Sequence, residues 1–401
     1  MKAPQKASKG RPDFLLLIMT LMLVGFGLVM VFSASSGVAV VSDMYNNDPL
    51  YFTKRQLMWA GIGLVVMFFT MNIPFRRIRK LQSLFFLVVI IMLALVPFIG
   101  VELNGARSWF GFGGLGIQPT EPAKLALILY LAALIAKKGE KFRDFKRGLL
   151  PVLIIVCFVC GLIMMQPDLG AVIIIAGCSA MMIWAAGAKL QHLLLTLISA
   201  IAVLTPIVLI AMELNPKAWE YRIGRFTAFL DPLSNAQGDA WQLISSLQAL
   251  GHGGFGGAGF GESVQKLHYL KYAYSDFIFA IIAEEFGFIG ATLFLLFMVV
   301  FIWRGFIVAV RCKDTFGMLT GIGISSLLAI QTFINIGGVT GAIPLTGVTL
   351  PFISHGGTSL MFMLMSMGVL LSISRDYNRV TNKTTIVSVT TTKATASPDE
   401  M

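Results

Sequence analysis

Asp276 is the residue of this sequence with the most chemistry to offer. It stands in Tyr274-Ser-Asp-Phe-Ile-Phe-Ala-Ile-Ile-Ala-Glu-Glu-Phe-Gly287, at the head of a long apolar run. An ionised group inside a membrane span costs about 2.5–3.5 kcal/mol at the centre and less near the surface, so such groups are retained where they act. At roughly 100° per residue, Asp276 shares a helical face with Ala280, Ala283 and Gly287, small residues that leave room beside the carboxylate. Glu285 faces the opposite way and Glu284 lies between, which makes both of them contacts to neighbouring helices deeper in a bundle.

Other polar groups gather near the ends of apolar runs. They fall in Asn104-Gly-Ala-Arg-Ser-Trp109, Gln118-Pro-Thr-Glu-Pro-Ala-Lys124 and Gln166-Pro-Asp-Leu-Gly170. Taken singly, Arg107, Glu121, Lys124 and Asp168 read equally well as helix caps and interfacial anchors. With Arg222 and Arg225 they place both signs of charge around one face, and guanidinium forks and ammonium groups suit a diphosphate. The segment from about 213 to 275 holds Trp219, Tyr221, Arg222, Arg225, Trp241, Lys266, His268 and Lys271 around a stretch with seven glycines between Gly251 and Gly261. Those glycines permit tight turns and close backbone approach, either as a flexible linker or as part of a binding surface. Gly251, Gly253 and Gly256 match a dinucleotide-binding spacing, but that fingerprint works only between a strand and a helix of a βαβ unit. The last polar stretch runs from Asn335 to Leu360 with Gly, Pro and Ser breaks, including Ser354. At membrane depth such breaks leave backbone groups unsatisfied unless they line a cavity. His252, His268 and His355 have no metal-site spacing.

These residues need elements to hold them, and composition says which. Of 401 residues only 13% are charged, 56% are hydrophobic, and the mean hydropathy is +0.81; a water-facing chain carries about 25% charged residues. Apolar runs long enough to cross hydrocarbon as helices recur near 14–34, 54–73, 81–100, 121–136, 149–165, 169–187, 190–212, 276–303, 316–339 and 350–373. The expected fold is therefore an all-α polytopic membrane helix bundle of about ten transmembrane helices. Most of the 31 Lys and Arg residues fall on the side that holds both chain ends, which makes the N- and C-termini cytoplasmic. Asp276 and its neighbours then lie on the opposite, external face. The net charge of +11 is a topology signal and a match to anionic inner-leaflet lipid, and nucleic-acid binding is a poor reading of it. Cys157, Cys160, Cys178 and Cys312 fall in spans or on the cytoplasmic side, so no disulfide framework is expected. The N-terminus reads as an uncleaved first span. The expected divisions are a cytoplasmic segment over 1–12, a membrane domain over 13–375 with a large extracytoplasmic loop over 213–275, and a disordered cytoplasmic tail over 376–401.

The motifs also carry a likeness. Asn104-Gly-Ala-Arg-Ser-Trp109, Gln118-Pro-Thr-Glu121, Gln166-Pro-Asp-Leu-Gly170, Gln265-Lys-Leu-His-Tyr-Leu270, Ser275-Asp-Phe-Ile-Phe-Ala280 and Leu350-Pro-Phe-Ile-Ser354 with Gly356-Gly357 resemble, in that order, the SEDS family in its FtsW-like branch. The resemblance covers roughly residues 12–375. It implies a peptidoglycan glycosyltransferase in the bacterial cytoplasmic membrane that polymerises lipid II on the outer face during division, elongation or spore formation. By resemblance Asp276 takes the place of the catalytic acid, accepting the proton of the attacking sugar hydroxyl. Arg107, Lys124, Arg222 and Lys271 would neutralise the departing diphosphate, and Glu121, Asp168 and Ser354 complete the substrate-binding set. The step should invert at the anomeric carbon and release undecaprenyl diphosphate. A divalent cation, Mg or Mn, could assist at the diphosphate, though no carboxylate cluster demands one. The implied partners are a single-span transpeptidase, that is a class B penicillin-binding protein, and other division or elongation proteins. Lys271, His355 and Pro122 depart from the family pattern at positions where proline, tyrosine and a bulky apolar residue are common. The competing readings are a transporter that flips the lipid-linked precursor and a scaffold that recruits the transpeptidase.

Overall fold

A computed structural model describes residues 10–103, 106–112, 115–189 and 240–395, with scattered residues between 191 and 238. In chain order the described elements are α1 (Phe14–Val41), α2 (Tyr51–Asn72), α3 (Phe75–Ile99), strands β1 (Val101–Leu103), β2 (Ala106–Phe112) and β3 (Leu115–Ile117), then α4 (Thr120–Lys138), α5 (Leu150–Met164), α6 (Leu169–Ala185), α7 (Trp241–Gly253), α8 (Ile278–Arg311), α9 (Thr315–Val339) and α10 (Gly357–Thr395). The architecture is a helical membrane bundle, as composition required. By length and composition, α1, α3, α8, α9, the first part of α10 and the segment Phe145–Met164 ending in α5 can each cross a membrane, and α6 is a shorter apolar helix. The expected span at 190–212 lies almost wholly outside the described residues, as does Arg222.

One stretch departs from the all-helical expectation. Residues 101–117 form a three-stranded antiparallel meander, β1-β2-β3, with Glu102 opposite Arg107 and Phe110 opposite Ile117. β1 and β3, of three residues each, are too short to show an alternation, and the seven residues of β2, Ala106-Arg-Ser-Trp-Phe-Gly-Phe112, do not alternate apolar with polar.

Helices in lipid gain little hydrophobic drive from associating, so close packing of small residues must hold them together. α10 packs chiefly on α2, and there a side chain on Gly368 would collide with Thr70 and Met67, and one on Gly357 with the Trp59 ring. α9 runs through the middle, against α8, α6, α4 and α10. Its Gly321 and Gly323 meet Ala309 of α8 and Ile128 of α4. Small residues on several of its faces let these neighbours come close, and most of α9 is buried in the interior. At the end of the bundle that holds the start of α1, Asp13 caps that helix by accepting from the Leu16 N–H (3.0 Å), and Arg304 grips the same carboxylate through Nη2 (2.7 Å) and Nε (3.2 Å).

The glycine-rich stretch is not a free linker: its backbone is bonded to α8, while most of its residues stay exposed, Phe255 at 79% among them. α8 breaks at Gly287, whose φ of +67° lies in the left-handed region, so the helix cannot continue its own hydrogen bonds through the break. Residues 254–259 supply the replacements. Phe288 and Ile289 N–H donate to the carbonyls of Gly254 (2.8 Å) and Phe255 (3.2 Å), while Ala258 and Gly259 N–H donate to those of Glu284 (2.9 Å) and Glu285 (3.1 Å). The backbones approach so closely that a side chain on Gly257 would strike the Glu285 carbonyl, and one on Gly287 the Gly257 amide. Glu284 and Glu285 complete the clamp. Glu284, wholly buried, accepts from Ser263 Oγ, the Val264 N–H (3.0 Å) and the Gln265 N–H (3.4 Å), and meets His252 Nδ1 at 2.8 Å. Glu285 accepts from Ser33 of α1 (2.5 Å) and from Lys266 Nζ (2.7 Å), itself 6% exposed. The expected contact to a neighbouring helix holds for both, Glu285 with Ser33 of α1 and Glu284 with His252 of α7, and the loop after α7 adds further donors to Glu284.

Candidate active site

The clamp fixes the direction of α8, and the segment just before that helix carries Asp276. Three ties hold this segment against the connection between α9 and α10. Ser354 Oγ donates to the Ser275 carbonyl (2.7 Å) while accepting from the Leu350 N–H (2.7 Å), and the His355 N–H donates to the Tyr274 carbonyl (2.9 Å). Asn335 of α9 then bridges both sides, its Nδ2 donating to the carbonyls of Asp276 and Val348 at 2.7 Å each. Gly347, at a φ of +72°, leaves space beside the carboxylate, since a Cβ there would stand 3.6 Å from Asp276 Oδ2. Oδ1 accepts from Ser275 Oγ at 2.9 Å.

Asp276 faces a cavity of about 210 Å³. Glu121, Lys124, Asp168 and Gln331 line it with Asp276, as do Trp109 of the meander, Thr349, His355 and Ser359. Lys124 sits one turn after Glu121 on α4, and its Nζ meets Glu121 Oε1 at 2.8 Å with both side chains at most 11% exposed. Nζ also reaches Gln331 Oε1 at 3.5 Å, and Gln331 Nε2 donates to the Thr349 carbonyl at 3.0 Å. The cation is thus aimed from the bundle wall into the cavity, and a buried cation acts on a nearby anion more strongly than one in water. Asp168 caps α6 by accepting from the Ala171 N–H (2.9 Å). Burial raises its carboxyl above the usual range, against the Ala171 N–H and the Lys124 charge, which lower it. The Gln118-to-Lys124 and Gln166-to-Gly170 stretches, far apart in sequence, thereby meet Asp276 in one place.

Of the remaining expected site residues, Arg222 lies outside the described residues, and Arg107, Lys271 and Ser354 do not line this cavity. Arg107 is exposed on β2, and Lys271 is exposed with Nζ 5.1 Å from the centre of the Tyr272 ring. Ser354 is buried with its hydroxyl engaged in the two bonds above, so it shapes the Asp276 segment without lining the cavity. The sequence reading gave no role to Gln331, although Gln331 and Asn335, one helical turn apart on an apolar helix, are a signal for a polar face. It also passed over Arg55, at the start of α2, whose Nη1 donates to the Tyr51 hydroxyl (3.0 Å). Burial, and next the Arg55 charge, lower the imidazole of His355 to about 4. Among the described residues no three His, Cys, Asp or Glu side chains gather as a metal site of protein ligands alone would require.

The cavity makes a direct forecast. Lys124→Met removes the one cation aimed into it by described residues, and should lower turnover of an anionic-leaving-group reaction by about 10²-fold. Glu121→Gln keeps the cation and should cost less. Rates of glycan synthesis by the two variants check this, and equal losses would contradict it.

Comparison with known proteins agrees with this picture. Residues 14–379 match the family described as Cell cycle protein, which groups FtsW, RodA and SpoVE. The chain is 44% identical to stage V sporulation protein E of Bacillus subtilis, over 92% of this chain and 99% of that protein. It is 41% identical to a probable peptidoglycan glycosyltransferase FtsW of the same organism, over 90% of each. Among solved structures it is similar to a chain from a peptidoglycan synthase complex described as coordinating polymerization and crosslinking, with a TM-score of 0.74 and 30% identity over 91% of this chain and 98% of that one. The rod shape determining protein RodA of Thermus thermophilus is also similar, with a TM-score of 0.65 and 28% identity over 91% of this chain and 97% of that one. Matched over most of its length by the family model, by named relatives and by solved structures, the chain belongs to the FtsW/RodA/SpoVE family of cell cycle proteins, multi-pass proteins of the bacterial cytoplasmic membrane.

Proposed function

We propose that this chain is a peptidoglycan glycosyltransferase whose reaction takes place in the Asp276 cavity, with lipid II as substrate. Relatives carry the name of the activity, and the observation that supports its location is that one cavity brings an aspartate and a buried lysine together. A sugar hydroxyl of one chain end attacks the anomeric carbon of a sugar linked to a lipid diphosphate. The new C–O bond forms as the bond to the diphosphate oxygen breaks, the hydroxyl proton passes to Asp276, and the leaving group departs as undecaprenyl diphosphate. Attack opposite the leaving group inverts the anomeric centre in a single displacement. Lys124, held in place by Glu121 and Gln331, stabilises the charge that grows on the leaving oxygen. Arg107 and Lys271, exposed outside the cavity, act in this reading as basic groups that receive the diphosphate, Arg222 shares that role, and Asp168 forms a polar wall.

Division, wall elongation and sporulation all use such a reaction. The working partner is a single-span transpeptidase that cross-links the strand as it emerges. The activity is tested by placing the purified chain in vesicles with labelled lipid II, with and without the transpeptidase. Glycan strands are expected. Movement of lipid II across the bilayer without strands would support a transporter instead.

A further inference from the structure

We propose that His355 touches the substrate, its Nε2–H donating a hydrogen bond to an oxygen of the acceptor sugar, a hydroxyl or an acetamido carbonyl, and so setting that sugar against Asp276. This rests on the reading of Asp276 as the group that receives the proton. The ring lines the same cavity as the carboxylate. Its backbone is anchored to Tyr274, two residues before Asp276, so the two side chains are carried on segments bonded to each other.

The ring is held on two sides by aromatic edges. Phe52 lies at 5.3 Å between centroids and 85° between planes, and Tyr274 at 5.8 Å and 71°. Nδ1 is sealed from solvent and has no hydrogen-bond partner, which leaves Nε2 as the nitrogen a ligand can reach. A sealed N–H without an acceptor is rarer and costlier than a sealed lone pair, so the single proton of the neutral ring belongs on Nε2. Burial and the Arg55 charge keep the ring neutral across the physiological range. A neutral donor suits this position. An imidazolium would pair with Asp276 and weaken it as a base, whereas a neutral N–H orients a sugar oxygen and does not lower the basicity of the carboxylate in that way. The charged and titratable groups that face the ring or share its cavity are Arg55, Tyr274, Asp276, Glu121, Lys124 and Asp168, and the Arg55 charge adds to burial in keeping the ring neutral.

The test uses the full chain in lipid and separates binding from turnover. Affinity for labelled lipid II is measured in an Asp276→Asn background, where the proton acceptor is gone, at a temperature below the unfolding midpoint of every variant. His355→Phe keeps the aromatic cage and removes the donor. Affinity is expected to fall about tenfold, the scale of one neutral hydrogen bond. His355→Gln restores a neutral donor and is expected to bind within about threefold of the parent. With Asp276 intact, His355→Phe is expected to raise KM by a similar factor and leave kcat close to the parent value. Unchanged binding by His355→Phe, no recovery by His355→Gln, or a loss confined to kcat would each overturn the assignment. Full activity of Asp276→Asn alone would remove the base and leave the binding comparison to be judged separately.

Discussion

Lys266→Met is expected to destabilise the protein by about 3–5 kcal/mol, because removing one partner of a buried pair leaves the other charge uncompensated. Glu285 is 2% exposed and relies on Lys266 Nζ at 2.7 Å and Ser33 Oγ at 2.5 Å, while Lys266 Nζ also donates to the Gly261 carbonyl at 2.7 Å. One lysine therefore joins α8, α1 through Ser33, and the glycine-rich segment that closes the break at Gly287. Thermal unfolding in detergent measures the effect. The double change Lys266→Met with Glu285→Leu removes both charges and is expected to regain most of the loss. A single variant that melts with the parent would mean that the clamp contributes little. Activity should fall alongside stability, since the same break sets the direction from which the Asp276 segment enters the cavity.

How much of this could be read from residues alone differs from element to element. The spans were legible because a bilayer demands long apolar helices, and no other force in the molecule competes with that demand. Asp276 was legible for a related reason, as an acid at a span mouth is too costly to be idle. Glu121, Lys124 and Asp168 were equivocal one at a time. Each does cap or pair locally, Asp168 with the Ala171 amide and Lys124 with Glu121; only the packing of α4, α6 and the α9–α10 connection makes them neighbours of Asp276. The glycine-rich stretch was legible in part: its glycines allow the close backbone approach expected of them, at Gly257 and Gly287, but the segment they approach lies farther along the chain and only the fold reveals it. Gln331, Arg55 and the orientation of His355 were hidden for the same reason, since tertiary packing places them. Charge alone does not say which residues share the cavity: Lys124 lines it, whereas Arg107 and Lys271 are exposed and do not.

Asp276→Asn is expected to have the largest effect on the reaction. Asn has the size of Asp and can still accept from Ser275, and the Asn335 bond goes to the backbone carbonyl, so the segment should keep its shape. What it loses is the ability to take a proton. Positioned general bases contribute about 10²–10⁴-fold, and the loss should appear in kcat with the affinity for lipid II little changed. The decisive measurement is lipid II polymerisation by the purified chain and its Asp276→Asn variant, side by side with lipid II binding and thermal unfolding. A fall of at least about 10²-fold in rate, with binding and melting preserved, is the result expected of a base in this cavity. Glycan strands made at the parent rate by the Asn variant would contradict it and place the reaction elsewhere.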